Sequence, residues 1–307
     1  MRLLNSILIP VILSTFNLSA VSALAELNVV TTTTDLRAIT NEVGQKFINV
    51  NSIAKGTQDP HFIEAKPSYM TKVSKADLLI AIGLDLEVGW LPSLIRGARN
   101  PKINQGQKGY LEVGTFVKPL EIPIGRISRA DGDVHPFGNP HVTLDPIRTG
   151  EIALKIAERL GELDSANTAE YQKNALALQL RMQKKTKEWQ QRIQAAGIKK
   201  AVTYHRTLTY FLDRFQIENP VILEPKPGIP PTSAHILKVI DTIKKDQISL
   251  ILVENYFAPT VTEKIKQTIP SIRSATVPVA VDGAEGIATI DDLYENLVKG
   301  IVDQNNN

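Results

Sequence analysis

The chain has 307 residues, with 35 Lys and Arg, 32 Asp and Glu, and a net charge of +3. This near-neutral balance argues against a nucleic-acid partner, which selects for strongly basic surfaces. The sequence contains no cysteine, so we expect no disulfide, no thiolate metal ligand and no lipid-modified cysteine. Roughly 280 mature residues suffice for one large domain or two ordinary ones.

The first 25 residues predict a cleavable secretory signal peptide. Arg2 gives a positive start, residues 3–24 are mostly apolar, and Ala23-Leu24-Ala25 is a small-x-small cleavage site. The alternative is an N-terminal membrane anchor, but Pro10 and Asn17 weaken it because a spanning helix needs about 20 largely apolar residues. We therefore expect an exported, soluble protein of the periplasm.

The first half of the mature chain alternates predicted strands and helices. The β-branched run 27–34 and the segment 47–53 predict strands, 67–74 predicts a helix, and the apolar run 77–83 predicts a strand buried on both faces. This alternation is typical of a parallel α/β sheet. We assign residues 26–163 to an N-terminal α/β lobe.

The middle of the chain predicts an unusually long helix. Asp145-Pro146 is an N-cap followed by proline at the first helical position, and that helix runs to about Leu160. Residues 165–196 then contain neither glycine nor proline, and a helix of 30 residues spans about 45 Å. A hairpin of two shorter helices is the alternative. We assign residues 164–197 to one linking helix.

The α/β pattern then restarts, and we assign residues 198–307 to a C-terminal lobe. Segments 200–204, 249–253 and 274–277 predict strands, and 290–301 predicts a closing amphipathic helix. The predicted fold class is therefore α/β, with two lobes, each containing a mainly parallel sheet flanked by helices, joined by one long rigid helix.

Three of the five histidines occupy marked loop contexts. His61 follows Asp59-Pro60, His141 follows Asn139-Pro140, and His205 ends a predicted strand. They are 80 and 64 residues apart, which excludes a local metal-binding finger. Ligands of open α/β sheets gather at the carboxyl ends of strands, so these imidazoles are candidates for one zinc-type site.

Three neutral imidazoles leave the charge of a divalent ion uncompensated, so we expect a carboxylate as fourth ligand. Asp282 and Glu254, both near strand ends in the second half, are the candidates, although Glu254 also fits an indirect or purely structural role. His135 lies six residues before His141, where it is either an auxiliary ligand or an exposed loop histidine. His235, at a predicted helix start, is expected to be structural.

Taken together, these segments resemble the periplasmic solute-binding proteins that serve zinc and manganese ABC transporters. The resemblance rests on the order of Asp59-Pro60-His61, Asn139-Pro140-His141, Asp145-Pro146, the long helix and Tyr204-His205, and it spans the mature chain. It implies a monomer of two lobes on one rigid helix that captures a metal and docks on a membrane permease. The implied ligands are His61, His141, His205 and, in the last loop, Asp282.

The predicted donor set favours Zn²⁺ over Mn²⁺, because imidazole suits zinc whereas manganese prefers more oxygen ligands. A manganese-binding member of the same family is the alternative. Zinc members often carry a long His-rich loop before the second ligand, whereas the stretch 129–137 has one histidine. We expect no enzyme; a secreted zinc hydrolase is the rival, but the sequence has no His-Glu-x-x-His motif.

Overall fold

The computed structural model describes residues 26–125, 132 and 134–303, so the predicted signal peptide lies outside the described residues. The first lobe contains a parallel sheet in the order β2-β1-β3-β4. Its strands are β1 (Leu27–Thr31), β2 (Ile48–Ser52), β3 (Leu78–Ala81) and β4 (Tyr110–Glu112), and its helices are α1 (Thr34–Gly44), α2 (Pro67–Ser74), α3 (Leu91–Ala98) and α4 (Pro146–Leu163).

The second lobe contains a smaller parallel sheet in the order β5-β6-β7. After the linking helix α5 (Thr168–Ala196), its strands are β5 (Val202–Thr203), β6 (Leu250–Glu254) and β7 (Arg273–Val277). Its helices are α6 (Thr209–Arg214), α7 (Ser233–Lys245), α8 (Thr260–Thr268) and α9 (Ile290–Val302). The two-lobe α/β fold class is confirmed.

The linking helix α5 is one uninterrupted helix of 29 residues. The alternative of two shorter helices is therefore wrong. The helix begins at Thr168, four residues after the predicted start at 164, because Ser165–Asn167 form a 3₁₀ turn. It ends at Gly197, which adopts φ 71°, the left-handed conformation that glycine accepts without strain.

The strand β1 ends three residues before the end of its β-branched run. The hydroxyl of Thr33 accepts a hydrogen bond from the backbone N–H of Leu36 and caps α1. Threonine is favourable both at a helix N-cap and in a strand, so the β-branched run extends beyond the end of β1. Every residue of β3 and β6 is buried, as the continuous apolar runs predict.

The two lobes share one hydrophobic core. A single cluster of buried side chains includes Leu36 of the first lobe, Trp189 of α5 and Tyr294 of the second lobe. On α5, Arg181 pairs with Glu42 of α1 at 2.8 Å and with Asp291 of α9 at 2.9 Å. The long helix therefore fastens both lobes, which limits their relative motion.

The helices in the described part of the chain were compared with the requirements of a membrane-spanning helix. None of those helices combines the length and the apolar character that a bilayer crossing requires.

Candidate metal centre

Three imidazoles meet where the two lobes face each other. His61 lies in the loop between β2 and α2, His141 precedes the 3₁₀ turn that leads into α4, and His205 follows β5 by two residues. One ring nitrogen of each lies within 4.8 Å of the others, and the ring centroids are 5.2 to 5.7 Å apart. The structure thus brings together the three histidines that the sequence singles out.

A side-chain oxygen holds the backbone N–H of each of these histidines. Asp59 accepts from His61 at 3.0 Å, and Asn139 accepts from His141 at 2.9 Å. In both cases one proline separates acceptor and histidine, so the two Asx-Pro-His turns share one local geometry. The side chain of the Asx residue in each turn thus fixes the backbone position of the histidine.

Carboxylates orient two of the rings. Asp59 Oδ1 lies 2.6 Å from His61 Nδ1, and Glu224 Oε2 lies 2.6 Å from His205 Nδ1. A carboxylate on Nδ1 fixes the proton there and leaves the Nε2 lone pair for a metal, which is the usual outer arrangement of zinc-binding histidines. The orientation of both rings is therefore that of metal ligands.

The third ring is set differently. His141 is 7% exposed, and its Nε2 is buried without a hydrogen-bond partner among the described residues. Burial, followed by the proximity of His61, lowers the pKa of His141 well below its ordinary value of 6.5. The ring is therefore neutral at pH 7. A buried nitrogen lone pair without a hydrogen-bond donor lowers the stability of the fold, unless a ligand such as a metal ion binds to it.

Glu224 is a site residue that sequence reasoning missed. It follows His205 by 19 residues in a loop, and no motif marks it. Asp59, the first residue of the Asp-Pro-His motif, contacts both the backbone and the ring of His61. Burial raises the pKa of Asp59, but the hydrogen bonds from the ring and backbone of His61 and the electrostatic interactions with His61 and His205 together outweigh burial, so the pKa is lowered overall. The carboxylates of Asp59 and Glu224 are thus each one hydrogen bond away from an imidazole of the centre.

Asp282 does not join the imidazoles. Its carboxylate pairs with the guanidinium of Arg37 on α1, and its side chain is 46% exposed. Its backbone N–H donates to Ile287 O at 2.7 Å within a turn, and its φ is 61°. The ion pair across the lobes occupies the carboxylate that the family resemblance assigns to the metal.

Glu254 also stays outside the group of imidazoles. Its Oε1 accepts from the backbone N–H of His205 at 3.2 Å, whereas its Oε2 is buried without a partner among the described residues. Burial raises the pKa of Glu254 to about 8, so the carboxyl is neutral at pH 7. Its position agrees with the indirect role weighed in the sequence analysis.

His135 approaches the centre from the side of the cleft. Its Nε2 lies 3.1 Å from His61 Nε2, and the two rings stack with centroids 5.2 Å apart. Burial, followed by His61, lowers the pKa of His135 to about 3. His235 is remote from this group: its Nε2 lies 2.9 Å from Ile222 O, as a structural histidine would.

A cleft of about 490 Å³ opens over the centre. Its walls come from both lobes and include Glu121, Ile124, His135, His141, His205 and Pro227. Part of the preceding loop, residues 126–131 and 133, lies outside the described residues. The cleft gives solvent access to the imidazoles of His141 and His205.

Two parallel α/β lobes on one long helix, with histidines of both lobes at the cleft, define a solute-binding protein of the metal-binding class. The sequence model of the family described as zinc-uptake complex component A, periplasmic, matches residues 29–304. The chain belongs to this family, whose curated relatives are metal-binding substrate-binding proteins of ABC transporters.

The relatives differ in the metal that their names state. The manganese ABC transporter substrate-binding lipoprotein scaA of Streptococcus gordonii is 28% identical over 240 residues, 76% of this chain and 74% of its own. The zinc-binding lipoprotein AdcA of Streptococcus pneumoniae is 25% identical over 254 residues, 80% of this chain and 47% of its own. Family membership therefore leaves the choice between zinc and manganese to the site itself.

A solved structure gives independent support for the fold. A crystal structure of ZnuA superposes with a TM-score of 0.75 at 21% identity and covers 90% of this chain and 98% of that one. This likeness extends over both lobes and the linking helix.

Proposed function

We propose that this protein captures Zn²⁺ outside the cytoplasm and delivers it to the membrane permease of an ABC transporter for import. His61, His141 and His205 are the proposed ligands. The observation that carries the proposal is the convergence of three ring nitrogens within 4.8 Å, one of them buried without a hydrogen-bond partner in the described part of the chain. The zinc ion is the cargo, and no catalytic step is proposed.

The donor set supports zinc rather than manganese. Three imidazole nitrogens approach the centre, while the nearest carboxylates contact ring Nδ1 atoms or the backbone. Manganese favours sites richer in oxygen, whereas zinc accepts nitrogen ligands readily. Manganese remains the alternative cargo because scaA carries manganese in its name. The rival interpretation as a secreted zinc hydrolase finds no support among the relatives.

The proposal also includes export and a monomeric state. We propose that residues 1–25 are cleaved and that the mature protein acts in the periplasm. The relatives named above are lipoproteins, whereas this sequence contains no cysteine. Cell fractionation with N-terminal sequencing tests this part: a periplasmic protein starting at Glu26 is expected, and an uncleaved membrane-bound chain would contradict it.

Metal analysis after equilibrium dialysis tests the cargo. The metal-free mature protein is dialysed against equimolar Zn²⁺ and Mn²⁺, and we expect one zinc and no manganese per chain. Zinc at 100 times its dissociation constant should also stabilise the fold by about 2.7 kcal/mol, because it binds only the native state. A preference for manganese, or no bound metal, would overturn the proposal.

A further inference from the structure

We propose that Asn139 is a positioning residue that sets the distance between His141 in the first lobe and His205 in the second. This inference rests on the proposed function and deepens it, because both histidines are proposed ligands and they come from different lobes. The observation that carries it is the side-chain amide of Asn139, which forms hydrogen bonds with the backbone on both sides of the cleft. Asn139 acts on the metal only through the backbone of the two histidines.

The amide of Asn139 connects the two lobes directly. Its Oδ1 accepts from the backbone N–H of His141 at 2.9 Å, and its Nδ2 donates at 2.8 Å to the backbone oxygen of Arg206, which follows His205. The same Nδ2 donates to Glu121 Oε2 at 2.8 Å. Only one orientation of the amide suits one donor and two acceptors. A single planar group therefore fixes the backbone beside both proposed ligands.

The backbone of Asn139 is itself held from both lobes. The hydroxyl of Tyr210, on α6 of the second lobe, donates to Asn139 O at 2.6 Å and accepts from the backbone N–H of Leu120 at 3.0 Å. The backbone N–H of Asn139 donates to Leu120 O at 2.8 Å. Asn139 is 5% exposed and Tyr210 is fully buried, so these bonds are shielded from water. The connecting amide thus starts from a fixed position.

The two Asx-Pro-His turns show why residue 139 is an asparagine. In the first turn, Asp59 Oδ1 accepts from the backbone N–H of His61 and lies 2.6 Å from the Nδ1 of the same residue. In the second turn, an aspartate would place a carboxylate oxygen against two further acceptors, the backbone oxygen of Arg206 and Glu121 Oε2. The connection between the lobes therefore requires the donors of an amide.

This connection matters because the imidazoles stand close to ligand spacing. One ring nitrogen of each of the three histidines lies within 4.8 Å of the others. Two nitrogen ligands of a tetrahedral zinc ion, each about 2.0–2.1 Å from the metal, lie roughly 3.3–3.4 Å apart. Only a short approach is left while the backbones stay in place. Without the connection, the ligands of the two lobes vary in separation, and restricting that movement lowers the affinity for metal.

Chelator competition with Zn²⁺ on the mature protein and the variant Asn139→Asp tests the inference. The variant keeps the acceptor for His141 N–H and loses both donors, so zinc affinity should fall by roughly 10–100-fold. The added negative charge alone would strengthen cation binding, so a fall separates positioning from charge. Asn174→Asp is the matched control, because it loses an amide donor to Val43 O at 3.0 Å, away from the centre, and should keep the wild-type affinity.

Visible absorption of the same proteins loaded with Co²⁺ gives a second readout. The spectrum reports the arrangement of ligands around the ion, which a loss of stability alone does not change. We expect an altered spectrum in Asn139→Asp and the wild-type spectrum in Asn174→Asp. Wild-type zinc affinity or a wild-type spectrum in Asn139→Asp would overturn the inference and leave the proposed function intact.

A second variant decides the matter if Asn139→Asp does not fold. Tyr210→Phe removes the hydroxyl that donates to Asn139 O, so zinc affinity should fall by about 10-fold, the lower end of the range for an indirect contact. Unchanged affinity in Tyr210→Phe would then overturn the inference. If the wild-type protein binds no zinc, the proposed function itself fails.

Discussion

The metal centre has two differently built sides. We call His61, His141 and His205 with their hydrogen-bond partners the floor, and the side lined by His135 and open to solvent the cleft side. On the floor, side-chain oxygens hold the backbone of all three histidines, and carboxylates orient His61 and His205 at 2.6 Å. On the cleft side, His135 contacts one ring, and about 490 Å³ of open space follows. The floor is preorganised for a metal, whereas the cleft side leaves a path for it.

If the centre binds a metal as proposed, this difference favours metal exchange through the cleft over separation of the lobes. Below the floor, Asp35 accepts from the backbone N–H of Val281 at 2.8 Å and from the hydroxyl of Thr143 at 3.0 Å. Thr34 donates to Val281 O at 2.6 Å. Together with the shared core, these contacts fasten the lobes directly beneath the histidines.

Removal of a floor ligand has the largest expected effect. His141→Ala deletes the buried Nε2, which has no hydrogen-bond partner among the residues that the structure describes. Zinc affinity should therefore fall by more than roughly 100-fold, beyond the usual loss for an indirect contact. Chelator competition measures the change, with His235→Ala as the matched control. Because the orphaned nitrogen also disappears, the metal-free variant should stay folded. Equal zinc affinity in both variants would show that the floor is not the site.

Removal of an orienting carboxylate should have a smaller effect. Glu224→Gln keeps an acceptor for His205 Nδ1 but loses the negative charge, so zinc affinity should fall by roughly 10–100-fold. Glu218→Gln, whose carboxylate lies 3.7 Å from Lys200 away from the centre, is the control. Indistinguishable affinities for the two variants would mean that Glu224 only packs against the ring.

The contribution of Asp35, which bonds to Val281 and Thr143, to the stability of the fold should depend on pH. Burial raises the pKa of Asp35 from 3.8 to about 6 in the folded protein. Its contribution to stability is fully present below pH 3.8 and is lost as the pH rises through about 6, since the folded state favours the protonated form. Asp35→Asn keeps the acceptor for the Val281 N–H, and its amide can donate to the Thr143 hydroxyl, which then accepts. The substitution removes the pH dependence, a difference of about 3 kcal/mol in the free energy of unfolding.

Urea unfolding of the metal-free protein between pH 4 and pH 7.5 measures this difference. Relative to wild type, Asp35→Asn should gain stability as the pH rises across that range. Parallel stability curves for the two proteins would show that Asp35 ionises in the fold as easily as in the unfolded chain.

The ion pair between Arg37 and Asp282 should have the smallest effect. Asp282→Ala removes a pair whose side chains are 29% and 46% exposed, and such pairs contribute about 0–1 kcal/mol. Zinc affinity should change by no more than about fivefold, since 1.4 kcal/mol corresponds to tenfold. Thermal unfolding and chelator competition measure the two quantities. A loss of affinity as large as that of His141→Ala would identify Asp282 as a ligand.

The elements with a strong local signal could be predicted from the sequence. The apolar runs of β3 and β6 and the stretch of α5 without glycine or proline each specify one structure. The three histidines could be selected because their Asx-Pro-His and strand-end contexts are local features. The boundaries were less accurate where capping competes with strand propensity, as at Thr33.

The rest of the centre depends on contacts between distant segments. Glu224 reaches His205 across 19 residues, and Arg37 reaches Asp282 across 245 residues. His135 meets His61 across 74 residues. No periodicity or motif encodes such pairs in a single sequence, so the orienting carboxylates and the competition for the fourth position required the fold.

The central claim is that His61, His141 and His205 hold the metal. Native mass spectrometry of the mature protein after incubation with Zn²⁺ tests it most directly, with wild type compared to the variant in which all three histidines are replaced by alanine. We predict one zinc ion per wild-type chain and none on the variant, while His235→Ala retains one. A variant that lacks all three histidines and still binds one zinc ion with wild-type affinity would contradict the account.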